Sequence, residues 1–388
     1  MTLRRGLAAM VVVGMATSSA AAPLPAGAVA SPVSFSALDG WLADDHRAAL
    51  EAFKVSCRAM VDDAAALRPA VAALPALKAV CLNALDLPAS ITAEQAREFF
   101  ERSFTPYRVE PVSGQGFLTG YFEPVIDGSL TRTDAYPAPV LGRPVDLVTF
   151  QPGEPRGNLD PALAAARRTA GGLEPFPDRA AILGGALAGQ GLEQLFLRDD
   201  AEVFITQVQG SARVRLTDGR EVRLTYAGRN GHPYTSIGRI LISEGRISRE
   251  EMSLERLMTW LRAHPTEARR VMESNKSYVF FRREDHGDPA LGPTGGAGVP
   301  LVPGRSLAVD RTVWPYGLPV FVESDIETLG PDEGRLRRLV VAQDTGSAIV
   351  GPARADYFWG SGKEAGRKAG LTRHALGFTV LWPRESAP

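Results

Sequence analysis

From Gly116 onward the chain is cut into short runs of strand-forming residues by recurring Gly and Pro, and this punctuation limits its fold more than any other feature. GFLTGYFEPVIDGSL, YPAPVLGRPVDLV, SYVFFR, PLVPGRSLAVD, PVFVES, RRLVVAQD and HALGFTVLW each read as one or two strands between turn residues. No helices alternate with them, so the pattern predicts a barrel or sandwich over a doubly wound parallel sheet. AEVFITQVQGSARVRLTDGREVRLTYAG alternates apolar and polar residues over two runs, and Thr217-Asp218-Gly219-Arg220 between them is a hairpin signal. Before this region, Phe35 to about Arg102 carries apolar residues at three- and four-residue spacing and predicts a layer of helices. Gln151 to Gly189 reads as an irregular insertion with a short helical piece at DPALAAARR. Ser248 and Glu251 form a capping box that predicts a helix start; His264-Pro265 ends that helix, and a second short one follows.

With 388 residues, 45% apolar and 22% charged, the chain has the composition of a globular protein with room for two domains. Lys+Arg 43 against Asp+Glu 44 leaves no net field to recruit nucleic acid or anionic lipid. Arg4 and Arg5, a short apolar stretch and Ala28-Val29-Ala30 form the three parts of a secretory signal, which predicts a mature chain from near Ser31. No Cys precedes Cys57, so lipidation at that cleavage site is not expected, and the protein is read as exported and periplasmic. Cys57 and Cys81, in an Ala/Leu-rich helical region, read as a disulfide in an oxidising compartment, the other possibility being two buried thiols. The five His residues show no ligand spacing, so no metal and no cofactor are expected.

The residues suited to chemistry gather near the C-terminus, in VVAQDTGSAIVGPARADYFWGSGKEAG. Asp356 is followed by Tyr357, Phe358 and Trp359, aromatics able to desolvate a carboxyl and raise its pKa. Asp344 follows an apolar strand and precedes Thr345-Gly346-Ser347, whose turn amides suit an ionised carboxylate. Asp310 ends the run SLAVD. On local sequence alone a turn cap is the favoured reading of Asp356 and the alternative for Asp344, and Asp310 leans further to structure. Asp344-Thr345-Gly346 also matches the aspartic protease signature, but that chemistry needs two such loops and the chain has one.

Together with GFLTGYFEP, VQGSARV and YAGRNGHPYTSIG in this order, the segment resembles the MltA family of lytic transglycosylases, which cleave peptidoglycan; the resemblance runs from about Gly116 to Phe378. It implies a mainly β fold with N-terminal helices, in which a six-stranded double-psi β-barrel is interrupted by a smaller β domain, with the substrate groove between them. The corresponding boundaries are 1–30 for the signal, 31–115 for the helical segment, 116–122 with 276–388 for the barrel (3D region about 300–380) and 123–275 for the insert. The implied reaction breaks the β-1,4 bond between N-acetylmuramic acid and N-acetylglucosamine without water and forms 1,6-anhydromuropeptides, for cell-wall turnover and remodelling. Asp356 falls at the acid/base position of the family, with Asp344 and Asp310 in support. Tyr121, Phe122, Gln209, Gly210, Ser211, Asn230, Tyr234, Thr345 and Gly346 are the implied groove lining, offering flat faces and hydrogen-bonding groups to sugars; Glu123 in the same motif reads equally as a surface residue. Ser347 and Val350 depart from the commonest family form, which has Gly and a basic residue there. A monomer is expected, with glycan strands as its partner and wall-synthesis or division proteins as further ones. The competing readings are a hydrolase on the same barrel, with Asp344 as water-activating base, and a non-catalytic wall-binding module.

Overall fold

The computed structural model describes residues 27–151, 153–285, 292–330 and 334–385. The expected signal therefore lies outside the described residues up to position 26, while Ala28–Pro32 form strand β1. Three helices follow, α1 (His46–Val61), α2 (Pro75–Leu85) and α3 (Ala93–Ser103), as the periodicity predicts. Asp45 caps α1 by accepting the Ala48 N–H, and Thr92 with Gln95 forms a reciprocal capping box on α3. Their apolar faces, including Phe53, Phe99 and Phe100, join Trp41 and Phe321 in the main core. Cys57 and Cys81 are joined in a disulfide between α1 and α2, with Cα atoms 4.9 Å apart. The chain then enters β2 (Phe104–Pro111), so the segment read as helical up to residue 115 also supplies strands to the principal sheet.

After β3 (Phe117–Glu123) the chain leaves that sheet and builds a second body. Its strands are β4 (Val125–Gly128), β5 (Ala138–Leu141), β6 (Leu147–Thr149), β7 (Ala165–Thr169), β8 (Gly172–Glu174), β9 (Glu193–Leu197), β10 (Ser211–Leu216), β11 (Glu221–Arg229) and β12 (Val279–Glu284). Its helices are α4 (Arg179–Ala181), α5 (Asp200–Gln209), α6 (Ile237–Ser243), α7 (Leu254–Ala263) and α8 (Pro265–Glu273). The predicted hairpin is β10–β11, with Gly219 at φ +85° in its turn.

Four sequence readings change here. AEVFITQVQ is helix α5 and not a strand: Asp199 accepts the Glu202 N–H at 2.7 Å at its start and Gly210 at φ +82° ends it, and these caps outweigh the alternation. DPALAAARR gives a turn and then strand β7. Ser248 does accept the Glu251 N–H at 3.2 Å, but the helix begins at Leu254 under the cap of Ser253. Residues 279–284, assigned to the barrel by sequence, pair as β12 with β11 in the smaller sheet, order β12-β11-β10-β4.

The chain returns as β13 (Ser306–Val309), β14 (Pro319–Asp325), β15 (Arg335–Asp344), β16 (Arg354–Ser361), α9 (Gly362–Leu371), β17 (Arg373–Ala375) and β18 (Gly377–Pro383). The nine-stranded sheet has the order β1-β2-β18-β14-β15-β13-β16-β3-β17, and its end strands β1 and β17 are not paired with each other. Most neighbours are antiparallel, but β13 runs parallel to β15 and β3 parallel to β16. Gly120 sits where β3 crosses Trp359 and α9: a Cβ there would lie 2.6 Å from Trp359 Nε1 and 2.9 Å from the Ala369 Cα.

The passage between the two bodies is locked at Glu123, the last residue of β3. Arg213 and Arg223 face each other across β10–β11, a like-charged pair that is unfavourable without a counter-ion. Glu123, fully buried, accepts from Arg223 Nε at 2.7 Å, Arg213 Nη2 at 3.3 Å and Ser361 Oγ at 2.7 Å. One carboxylate thus ties the larger sheet to the smaller one.

Candidate active site

Register carries the site. β15 bulges between Ala342 and Asp344, so that Asp344 and not Gln343 stands opposite Ala308 of β13. The bulge sends Gln343 the other way, to donate to Ala52 O and Ser56 Oγ on α1, and turns Asp344 to the groove. On its other side Ala308 pairs with Asp356 of β16, Asp356 with Thr119 of β3, and Thr119 with Arg373 of β17. Asp344, Ala308, Asp356, Thr119 and Arg373 therefore form one row across five strands, and all five line the same cavity of about 1060 Å³. The smaller body supplies the opposite wall, with Gln209, Gly210, Ser211, Tyr226 and Tyr234.

Asp356 is half-buried, and loss of water raises its pKa to about 6, against the lowering effects of Thr119 and Arg354; the nearby Asp344 raises it further. Thr119 Oγ1 donates to Asp356 Oδ1 at 2.6 Å and accepts from Arg354 Nη2 at 2.9 Å. Arg354 lies two residues before Asp356 on the same strand, so strand alternation puts both on the groove face. Replacing Thr119 by Val removes the hydrogen bond that favours the carboxylate. In kcat/KM profiles measured against pH, the limb governed by Asp356 is expected to move up by about one unit in Thr119→Val; a limb that stays in place contradicts this geometry.

Asp344 has a different setting. Burial raises its pKa too and outweighs Arg68 and several donors, which pull the other way. The Gly296 N–H donates to Asp344 Oδ1 at 2.7 Å, and the Thr345 N–H and the Tyr121 hydroxyl also favour the charged form. The Tyr121 hydroxyl lies close enough to act on Asp344 but does not reach full hydrogen-bond geometry, and it has no partner among the described residues. The Tyr121 side chain thus lines the groove with its hydroxyl buried. Arg68 arrives from the loop after α1, donates to Thr345 O at 2.8 Å and lies 3.9 Å over the Tyr226 ring.

The other sequence candidates divide. Tyr121, Gln209, Gly210, Ser211, Tyr234, Thr345 and Gly346 line the groove with the two aspartates. Phe122 points to the opposite face of β3 and packs against Ala365 and Ala369 of α9. Asn230 is fully buried beside the groove, where its Nδ2 donates to Pro177 O and Lys276 O and its Oδ1 accepts the Tyr278 N–H. Asp310 accepts from the Thr312 N–H and hydroxyl and from the Gly351 N–H at 2.7 Å, and so holds the 344–351 loop from behind. Sequence reading missed Thr119, Arg354, Arg373, Tyr226 and Arg68. Thr119 and Arg354 were within reach, each two residues from a residue already singled out on a strand.

Fold and groove together define a two-lobed, mainly β protein that sets a carboxyl acid in the floor of an open cleft. Residues 117–282 match the MltA specific insert domain and residues 305–382 the 3D domain. A crystal structure of the membrane-bound lytic murein transglycosylase from Agrobacterium tumefaciens is 38% identical, covers 92% of this chain and 98% of its own, and superposes with a TM-score of 0.82. Escherichia coli MltA with bound chitohexaose is 30% identical, with 76% and 79% of the two chains covered and a TM-score of 0.59. Membrane-bound lytic murein transglycosylase A of Vibrio cholerae is 34% identical over 276 residues, which span 69% of this chain and 65% of that protein. The chain belongs to the MltA family.

Proposed function

We propose that the protein is a peptidoglycan lytic transglycosylase, acting on the β-1,4 bond between N-acetylmuramic acid and N-acetylglucosamine. The observation that carries this reading is the row of groove residues centred on Asp356, whose pKa near 6 leaves a useful fraction protonated at neutral pH. Protonated Asp356 gives its proton to the glycosidic oxygen as the C1–O bond breaks and positive charge builds at C1. Ionised Asp344 lies in the same row and stabilises that charge. The muramic acid C6 hydroxyl then attacks C1 and returns its proton to the Asp356 carboxylate. A 1,6-anhydro ring closes, no water is consumed, and the acid is regenerated.

The names of the relatives support this reading, as does the chitohexaose complex of the Escherichia coli protein, an oligosaccharide of the kind this groove would accept. In finer detail, we read the large sheet as a double-psi barrel, supported by its two parallel pairs, with the smaller body inserted after Glu123. Among the described residues no helix is long and apolar enough to cross a membrane. We place the enzyme in the periplasm after signal removal, at the cell wall or outer membrane, where wall-synthesis proteins are candidate partners. The hydrolase reading stands second, because Asp344 and Asp356 flank Ala308 and both line the groove, so that a second carboxylate is at hand to activate a water. Product chemistry separates the two: anhydro ends for the transglycosylase, reducing ends for the hydrolase.

A further inference from the structure

Beside the groove lies a second cavity of about 530 Å³, within the size range of small-ligand pockets. The two share Leu67, Arg68, Tyr226, Thr345, Gly346 and Ser347 as a common wall, so the second opens off the Asp344 end of the first. Among the described residues its lining carries five arginines, Arg68, Arg143, Arg229, Arg282 and Arg311, and no Asp or Glu. Arg282 is paired with Glu284 at 2.8 Å, and Arg143 is spent on Ala227 O, Leu147 O and Thr149 Oγ1.

The remaining three are half-buried and meet only neutral oxygens: Arg68 on Thr345 O, Arg229 on Ser347 Oγ and Arg311 on Pro69 O. Among the described residues none of them is in an ion pair. Their charges are felt mutually, since Arg68 and Arg311 both help to lower the pKa of Arg229. Asp344 offsets part of the Arg68 charge from the groove side, but no carboxylate lines the pocket itself, so the half-buried guanidinium groups gathered there repel one another and an entering anion relieves that repulsion.

We infer that this pocket binds the carboxylate-bearing peptide carried on the lactyl arm of muramic acid, while the glycan strand lies in the main groove; the inference rests on the proposed function. The same charge would also suit the bare lactyl carboxylate. The peptide is chosen because the pocket has the volume of a small ligand and gathers three guanidinium groups, more than a single carboxylate occupies.

The test uses the mature chain on two substrates, glycan strands bearing their stem peptides and the same strands stripped by an amidase. Wild type is expected to show about tenfold higher kcat/KM on the peptide-bearing strands. Arg229→Gln with Arg311→Gln should lose that advantage and keep the wild-type rate on stripped strands, whereas Arg229→Lys with Arg311→Lys should retain most of it. Equal loss on both substrates overturns the inference and assigns the charge to the lactyl carboxylate or to loop support. A wild type without preference also overturns it, leaving the proposed function intact. Absence of product from both substrates instead rejects the proposed function. In that case calorimetry with the free stem peptide still decides the pocket: binding that the double Gln variant loses supports it, and no binding to wild type overturns it.

Discussion

Asp356→Asn is expected to abolish turnover of peptidoglycan, with a loss of at least about a thousandfold, because the amide neither donates the first proton nor accepts the second. Binding of glycan strands should persist, since Asn keeps the size and the contact with Thr119. The same substitution should stabilise the fold at neutral pH. A carboxyl whose folded pKa is raised to about 6 holds its proton more tightly in the folded than in the unfolded chain, so its contribution to stability is lost as pH rises through that value. Removing the carboxyl removes that loss, and the gain over wild type should vanish below the unfolded pKa of about 4. Urea unfolding at pH 4 and pH 8, paired with product release, checks both halves. Residual activity within tenfold of wild type, or no pH dependence of the stability difference, contradicts the assignment.

Glu123→Ala carries the largest expected effect on stability. It strips the shared carboxylate from Arg213 and Arg223, which face each other across β10–β11, and from Ser361 at the end of β16. Breaking a buried ion pair from one side typically costs about 3 kcal/mol or more, because a charge stays buried without its partner. The cost should fall at the junction of the two bodies, so activity is expected to fall along with the denaturation midpoint. Glu123→Gln, which keeps one acceptor oxygen, should lie between. An unchanged midpoint in Glu123→Ala would show that the node does not hold the bodies together.

The parts of this molecule legible in its sequence were those set by local rules. Helix periodicity gave α1 and α3 and Asp-Gly gave the β10–β11 turn; burial does raise the pKa of Asp356, but of its three aromatic neighbours only Phe358 shares its strand face, while Tyr357 and Trp359 pack on the main core. What escaped depends on pairing between distant strands. Asp344 meets the groove because of a bulge that no local signal announces, and Thr119 meets Asp356 across 237 residues of sequence. Arg68 belongs to the stretch read only as a layer of helices, yet it lies in a loop and reaches Thr345 across 277 residues. Caps decided where alternation misled: Asp199 and Gly210 make AEVFITQVQ a helix although its β-branched residues suggest a strand. Glu123, evenly balanced in sequence between surface and site, is fully buried because two arginines of another sheet require it.

Mass spectrometry of the soluble products from purified sacculi, digested by the mature protein in ¹⁸O-labelled water, tests the central claim most directly. The account predicts 1,6-anhydromuropeptides free of ¹⁸O, formed by wild type and absent with Asp356→Asn. Reducing-end products carrying one ¹⁸O would contradict it and favour the hydrolase.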